Sequence, residues 1–273
     1  MRQLTLIICV VIFCTSALSQ EKESPYKTDL LKDGIWIATG LGLNAVGVTM
    51  IQNKDGLTEA EVQALDKEDI WKIDRWAAGN YSKADGELSY FPFYASFALP
   101  IAFLPSDAER NNFGQISVLY LETMATVGAM FTITAGAVHK SRPLVYNESI
   151  PMKERRDNDA QRSFFGGHVA ATSAAAFFTA KVFQDFNPNS RAIPYVWTGA
   201  VVIPAFVGYL RTTSGKHFLT DNLMAFGVGA ATGILVPEIH KKTNESLNLY
   251  PTAAFNINGT GLNSRGLGLS YTF

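Results

Sequence analysis

Six apolar stretches of 15 to 20 residues, separated by polar connectors, limit what this chain can fold into more than any other feature. They cover residues 34–50, 90–104, 119–138, 169–183, 193–210 and 222–237. A helix needs about 20 residues to cross a bilayer, so these lengths stand at the lower edge of spanning. Small-residue runs such as AATSAAAFF and GVGAATG allow helix backbones to approach closely. Glu122 and Lys181 interrupt two of the stretches. Charged residues make up 17% of the chain and mean hydropathy is only +0.08, because the connectors are long and polar. Two all-α architectures follow, a membrane-embedded bundle and a soluble bundle with a very apolar core, and the segment pattern favours the first.

Residues 1–19 read as a secretory signal peptide: Arg2, an apolar run from Leu4 to Phe13, and Ala17-Leu18-Ser19 before a cut at Gln20. Phe13 stands where a lipoprotein signal at Cys14 would need a small residue. Both cysteines, Cys9 and Cys14, fall inside this segment. The exported chain would carry no thiol, which excludes disulfides, cysteine nucleophiles and cysteine metal sites. About 250 residues remain, enough for one full-sized domain. With 23 basic against 24 acidic residues, no charge excess points to nucleic acid. Residues 20–89 read as N-terminal helices and a polar connector. Within them Thr58 and Glu61 form a capping-box pattern ahead of a helix, TEAEVQALDKEDIWKIDRWAAG, whose Trp71 and Trp76 suit either a core stripe or a membrane interface. Residues 241–273 form a tail, and GTGLNSRGLGLSYTF near its end alternates like one β-strand.

Three polar patches stand at ends of the apolar stretches: HKSRPLVYN at 139–147, RSFFGGHVAA at 162–171 and RTTSGKHFLTD at 211–221. If the stretches are helices, the patches can meet at one end of the bundle. Arg142 and Arg211 can grip phosphoryl oxygens through charge-assisted hydrogen bonds. Gly166 and Gly167 let a helix start come close, so that their amides and that of His168 can donate to the same anion. One histidine is then free to attack and another to protonate. His217 and Asp221, four apart, would share a helix face and let the carboxylate orient the imidazole. The fourth histidine, His240, reads as a boundary residue. No phosphate-binding lysine loop, dinucleotide glycine fingerprint or HExxH is present.

This arrangement resembles the type 2 phosphatidic acid phosphatase superfamily, which includes bacterial acid phosphatases and vanadium haloperoxidases; the chain reads as a divergent bacterial member. The first family motif ends in Arg-Pro, matched by Arg142-Pro143. The second, Pro-Ser-Gly-His, is partly matched by FGGH at 165–168. The third, Ser-Arg, five residues, His, three residues, Asp, is matched from Leu210-Arg211 to His217 and Asp221. The resemblance implies an all-α helical bundle with its catalytic core at residues 90–240. It makes His217 the nucleophile, Asp221 its orienting carboxylate and His168 the acid, with Arg142, Gly166, Gly167 and Arg211 binding phosphate. It implies no metal and no cofactor. The family lysine falls on Ala135, the second-motif proline and serine on Phe165 and Gly166, and the third-motif serine on Leu210. Lys140, His139 and Arg162 are candidate replacements for the lysine. The implied activity is metal-independent hydrolysis of a lipid-linked phosphomonoester or diphosphate through a phosphohistidine. Its expected setting is the cell envelope, with the site facing the periplasm. A noncatalytic protein of the same fold that binds anionic lipid, and a soluble periplasmic acid phosphatase, remain as alternatives.

Overall fold

The computed structural model describes residues 23–242, 247–255 and 262–271. The expected signal peptide lies outside them. Helices run Leu30–Gln52 (α1), Glu59–Gln63 (α2), Lys83–Leu88 (α3), Tyr90–Ser96 (α4), Asp107–Asn111 (α5), Phe113–Ala137 (α6), Met152–Arg155 (α7), Gly167–Phe186 (α8), Ile193–Thr213 (α9) and Leu219–Ile239 (α10). The chain divides into two units, residues 1–240 and 241–273.

The first unit is a bundle of five long helices. Asp29 starts α1 by accepting from the Leu31 and Lys32 amides, which satisfies two of the donors that a helix start leaves unpaired. α1 then lies parallel to α6 along a seam of glycines. A Cβ on Gly40 would stand 2.8 Å from Ala125 Cβ, one on Gly128 would stand 2.7 Å from Asn44 Oδ1, and one on Gly47 would overlap Thr132. Asn44 ties the seam by donating to the carbonyls of Gly40 and Ala125 at 2.8 and 2.9 Å. α8 and α10 repeat the device, with Gly229 and Gly233 set against the backbone at Ala170 and Ala174. The two small-residue runs of the sequence thus meet each other. Lys181, which interrupts α8, is paired with Asp185 and, at 2.6 Å, with Glu238.

α1, α6, α9 and α10 are long and apolar enough to cross a membrane. Their outer faces carry exposed Ile35, Leu41, Val202, Phe206 and Leu235, a continuous apolar exterior that water would not tolerate on this scale. The bundle is therefore read as membrane-spanning, and the soluble alternative loses its basis.

Three expectations change in detail. The capping box forms, with Thr58 N donating to Glu61 Oε2 at 2.7 Å and Glu61 N to Thr58 Oγ1 at 3.2 Å. Its helix nevertheless stops at Gln63, and Asp66 caps a separate 3₁₀ turn, Lys67–Asp69. Trp71 and Trp76 are 75% and 57% exposed, which rules out the core stripe. The apolar stretch 90–104 is not one helix but α4 followed by a 3₁₀ turn, Leu99–Phe103, with Pro100 in its first turn. It carries the chain from the end of the bundle where α1 finishes toward the end where α6 begins. There Phe103 joins a core of Tyr26, Ile116, Leu119, Phe178 and Phe186.

The second unit contains an antiparallel hairpin, Leu247–Phe255 (β1) with Leu262–Tyr271 (β2), pairing Leu247 with Tyr271 and shifting register at Ala254/Phe255. The sequence pattern showed only the second strand. Pro251 sits within β1 opposite Leu267, and a proline inside a run lowers any strand reading.

Candidate phosphate site

α1, α6 and α9 end, and α8 and α10 begin, at the same end of the bundle. A cavity of about 400 Å³ opens there, and its polar lining includes Arg142, Arg162, His168, Arg211, Lys216 and His217. The three polar patches, spread over residues 139–221, therefore contribute to one space.

Each patch is locked by local geometry. Arg142 precedes the 3₁₀ turn Pro143–Tyr146, and its backbone amide donates to Ala160 at 2.8 Å. The loop after α9 folds back through Gly215, whose φ of +72° lies in the left-handed region that other residues rarely adopt. A side chain there would also overlap the Asn80 carbonyl. The Gly215 carbonyl accepts from Leu144 N at 3.0 Å, and the Arg211 carbonyl accepts from Lys216 N and His217 N. This presents Lys216 and His217 beside the Arg142 turn. At the start of α8, a Cβ on Gly167 would stand 2.6 Å from the Phe131 ring, and one on Gly166 would stand 2.5 Å from Asn222 Oδ1 and 3.5 Å from His217 Cδ2. Both glycines are thus needed for the helix start to reach the site. Gly166 N is turned toward the Asp221 carbonyl at 3.5 Å. Gly167 and His168 occupy the first helical positions, whose amides have no intrahelical acceptor.

His217 is 2% exposed, and its Nδ1 lies 2.6 Å from the Ser163 carbonyl. A carbonyl can only accept, so Nδ1 carries the proton and Nε2 keeps its lone pair. Burial first, then the charges of Arg211 and Arg142, hold this imidazole well below its ordinary pKa. The nucleophile candidate is therefore neutral. His168 is enclosed by aromatic rings of α4, stacked on Phe93 at 4.2 Å and edge-on to Tyr90 at 4.7 Å.

Asp221 departs from the expected geometry. α10 begins at Leu219 with Phe218 as its N-cap, so His217 lies outside the helix and the four-residue spacing does not put the two side chains on one face. Asp221 instead turns back to accept from Phe218 N at 3.0 Å and from Ser163 Oγ at 2.6 Å, and it pairs with Lys140 at 2.7 Å. It braces the residue whose carbonyl holds His217, rather than His217 itself.

Cations outnumber anions around the cavity. Asp159 pairs with Arg142, with Arg162 at 2.6 Å and with Lys216 at 3.4 Å. Burial alone would raise its carboxyl, but Arg142, Lys216 and Arg162 more than offset this and hold it below the usual range. Arg211 bonds Ser89 Oγ at 3.3 Å. Its Nε, the Arg162 Nε and the His168 Nε2 are buried with no hydrogen-bond partner among the described residues. Such atoms are uncommon in native interiors and mark a place for a ligand or solvent.

Of the three proposed lysine replacements, only Arg162 lines the cavity. Lys140 is committed to Asp221, and with His139 it borders a separate hollow beside Phe218. A different lysine reaches the neighbourhood of Ala135. Lys54, just past α1, is buried and donates to the carbonyls of Ala135, Val138 and Gln161 at 2.8, 2.5 and 3.1 Å. Burial, then Arg162 and Arg142, depress its pKa. Sequence reading missed Lys54, Asp159, Ser163 and the two rings. Lys216 was visible beside His217 in the quoted patch, whereas nothing in the spacing around Asp159 or Lys54 marked them.

No curated protein matches the chain. The crystal structure of the first transmembrane PAP2 type phosphatidylglycerolphosphate phosphatase from Bacillus subtilis is similar at 20% identity and a TM-score of 0.45, over 76% of this chain and 95% of that one. Residues 117–245, which hold α8, α9, α10, most of α6 and every cavity-lining side chain of the three patches, match the model of the PAP2 superfamily.

Proposed function

We propose that the chain is a PAP2-type phosphohydrolase that cleaves a lipid-linked phosphomonoester or diphosphate without a metal ion. The observation that carries this reading is the mixed lining of the cavity, in which Arg142, Arg162, Arg211 and Lys216 share one space with Phe93, Phe97, Met124, Val127 and Phe131. That combination suits a phosphate attached to a hydrocarbon chain better than a small polar phosphate.

The arginines, with the Gly167 and His168 amides, would hold the phosphoryl oxygens. The Nε2 lone pair of neutral His217 attacks phosphorus; the N–P bond forms as the P–O bond to the leaving alcohol breaks, and a protonated His168 gives its proton to that oxygen. Burial first, then the charges of Arg211, Arg142 and Lys216, disfavour a charged His168, and the phosphate's negative charge would offset those cations. Water then attacks phosphorus and yields its proton to neutral His168, and the N–P electron pair returns to His217. Asp221 and Ser163 act as positioning residues, and Lys54 adds positive charge behind the site. Export by the N-terminal segment, with the cavity facing the periplasm, completes the proposal.

Detergent-purified protein tests it. The wild type should release phosphate from lipid phosphates and yield an acid-labile phosphoenzyme on rapid quench, while His217→Gln should lose both and retain its thermal transition. Saturable lipid-phosphate binding with no release by the wild type would instead support the noncatalytic alternative, whose basis is the missing lysine and the indirect Asp221 contact.

A further inference from the structure

Glu122 interrupts the apolar sequence of α6 and is fully buried. Neither of its carboxylate oxygens accepts a hydrogen bond among the described residues. An ionised carboxylate in that setting is costly unless a cation or a metal compensates it. It faces Asp33, in the first turn of α1, and His240, the C-cap of α10. His240 Nε2 lies 3.3 Å from Glu122 Oε2 and 3.5 Å from Asp33 Oδ1. One ligand atom from each of the three side chains falls within 4.8 Å of the others.

The surroundings fix which atoms point inward. His240 Nδ1 is 2.8 Å from the Val236 carbonyl, so it carries a proton, and Nε2 is the atom offered to the carboxylates. Asp33 Oδ2 accepts from Asp29 N at 2.7 Å, leaving Oδ1 toward the cluster. An imidazole anchored by its far N–H to a carbonyl is the usual outer arrangement of a metal-binding histidine. The Trp36 ring lies beside His240, with centroids 6.0 Å apart.

We propose that Asp33, Glu122 and His240 form a divalent-cation site of the class that zinc occupies, at the end of the bundle opposite the phosphate cavity. Tetrahedral zinc with bonds of about 2.0–2.1 Å to nitrogen and oxygen separates its ligand atoms by about 3.3 Å, which agrees with the two separations from Nε2. Charge is consistent with this, since two carboxylates, a neutral imidazole and a divalent ion sum to zero. The ion joins three helices distant in sequence and ties α1, which precedes the matched segment, to α6 and α10. About 30 Å of α10 separates it from Asp221, so it takes no part in phosphate chemistry.

The test uses the full chain in detergent, free of affinity tags, stripped with a chelator and titrated with Zn²⁺ against a chromophoric competitor, alongside thermal melts. Wild type and His217→Gln should each bind one zinc per chain and melt higher with it. Glu122→Gln and His240→Gln should bind at least about a hundredfold more weakly and gain no thermal stability from zinc. Asp33→Asn, a milder change in the first turn of α1, should fall between them. No zinc uptake by the wild type, or undiminished uptake by Glu122→Gln, would overturn the site. So would an unchanged wild-type melt on chelation and zinc return, which would identify the triad as an ion pair around a protonated histidine.

Discussion

A buried neutral histidine makes a protein sensitive to acid, and His217 should do so here. Unfolded, its imidazole titrates near 6.5; folded, burial and the charges of Arg211 and Arg142 keep the pKa well below that. As pH falls below about 6.5 the unfolded chain binds a proton that the folded one does not, so stability is intact above this range and declines beneath it, by up to about 1.4 kcal/mol per pH unit for this group. Thermal melts of wild type and His217→Gln between pH 7.5 and 5 should show the steeper acid loss in the wild type; parallel slopes would mean that His217 is not held neutral. Arg142, His168, Arg211 and His217 could all be found from sequence, because each stands in a short polar patch abutting an apolar run, where its type has few structural uses. The partner of His217 could not. Whether Asp221 faces the imidazole depends on the helix starting one residue after Phe218, and that start is fixed by Asp221 itself capping the Phe218 amide.

At the scale of elements, close approach of backbones organises the bundle. Helices in lipid gain nothing from hiding apolar surface from lipid tails, so tight van der Waals contact and hydrogen bonds have to hold them together. Gly40 and Gly47 supply that contact for α1, with Asn44 between them. Gly47→Leu should force α1 off α6 and cost about 2 kcal/mol, in the range of overpacking changes. Gly42→Leu, on the same helix with nothing within 4 Å of its Cβ position, should melt like the wild type in the same detergent. Equal melting of the two variants would remove the seam from the account. The glycine and alanine content of these segments, and with it a capacity for close helix packing, could be read in the sequence; that the α8 and α10 runs meet each other could not. Where apolar runs break was less visible. The 90–104 stretch is as apolar as its neighbours, yet it folds as α4, whose Tyr90 and Phe93 enclose His168, and a separate 3₁₀ turn whose Phe103 joins the core at the other end.

The whole molecule combines an apolar exterior on four helices with a cationic cavity at the end where α8 and α10 begin, and the two features together bear on how substrate arrives. Exposed aromatic residues cluster near that end, including Trp71, Tyr81, Phe91 and Tyr94, residue types that favour the boundary between headgroups and hydrocarbon. A lipid phosphate held there could place its headgroup among Arg142, Arg211 and Lys216 while its chain stays against Phe93 and Phe97 or in the bilayer, so the chain is never transferred into water. A water-soluble phosphate gains no such contact. Two outcomes follow for native membranes that contain the protein. High salt and alkaline carbonate should leave it in the pellet, because the outer faces of α1, α9 and α10 are apolar and exposed among the described residues. In mixed micelles, turnover of a lipid phosphate should exceed that of a water-soluble monoester at least tenfold in kcat/KM, and Phe97→Ala, which alters the cavity lining but leaves the Phe93 stack on His168 in place, should narrow the ratio by weakening the lipid reaction more than the soluble one. Release of the protein by carbonate would refute the spanning reading; equal turnover of the two substrates would leave it in place and refute the lipid assignment.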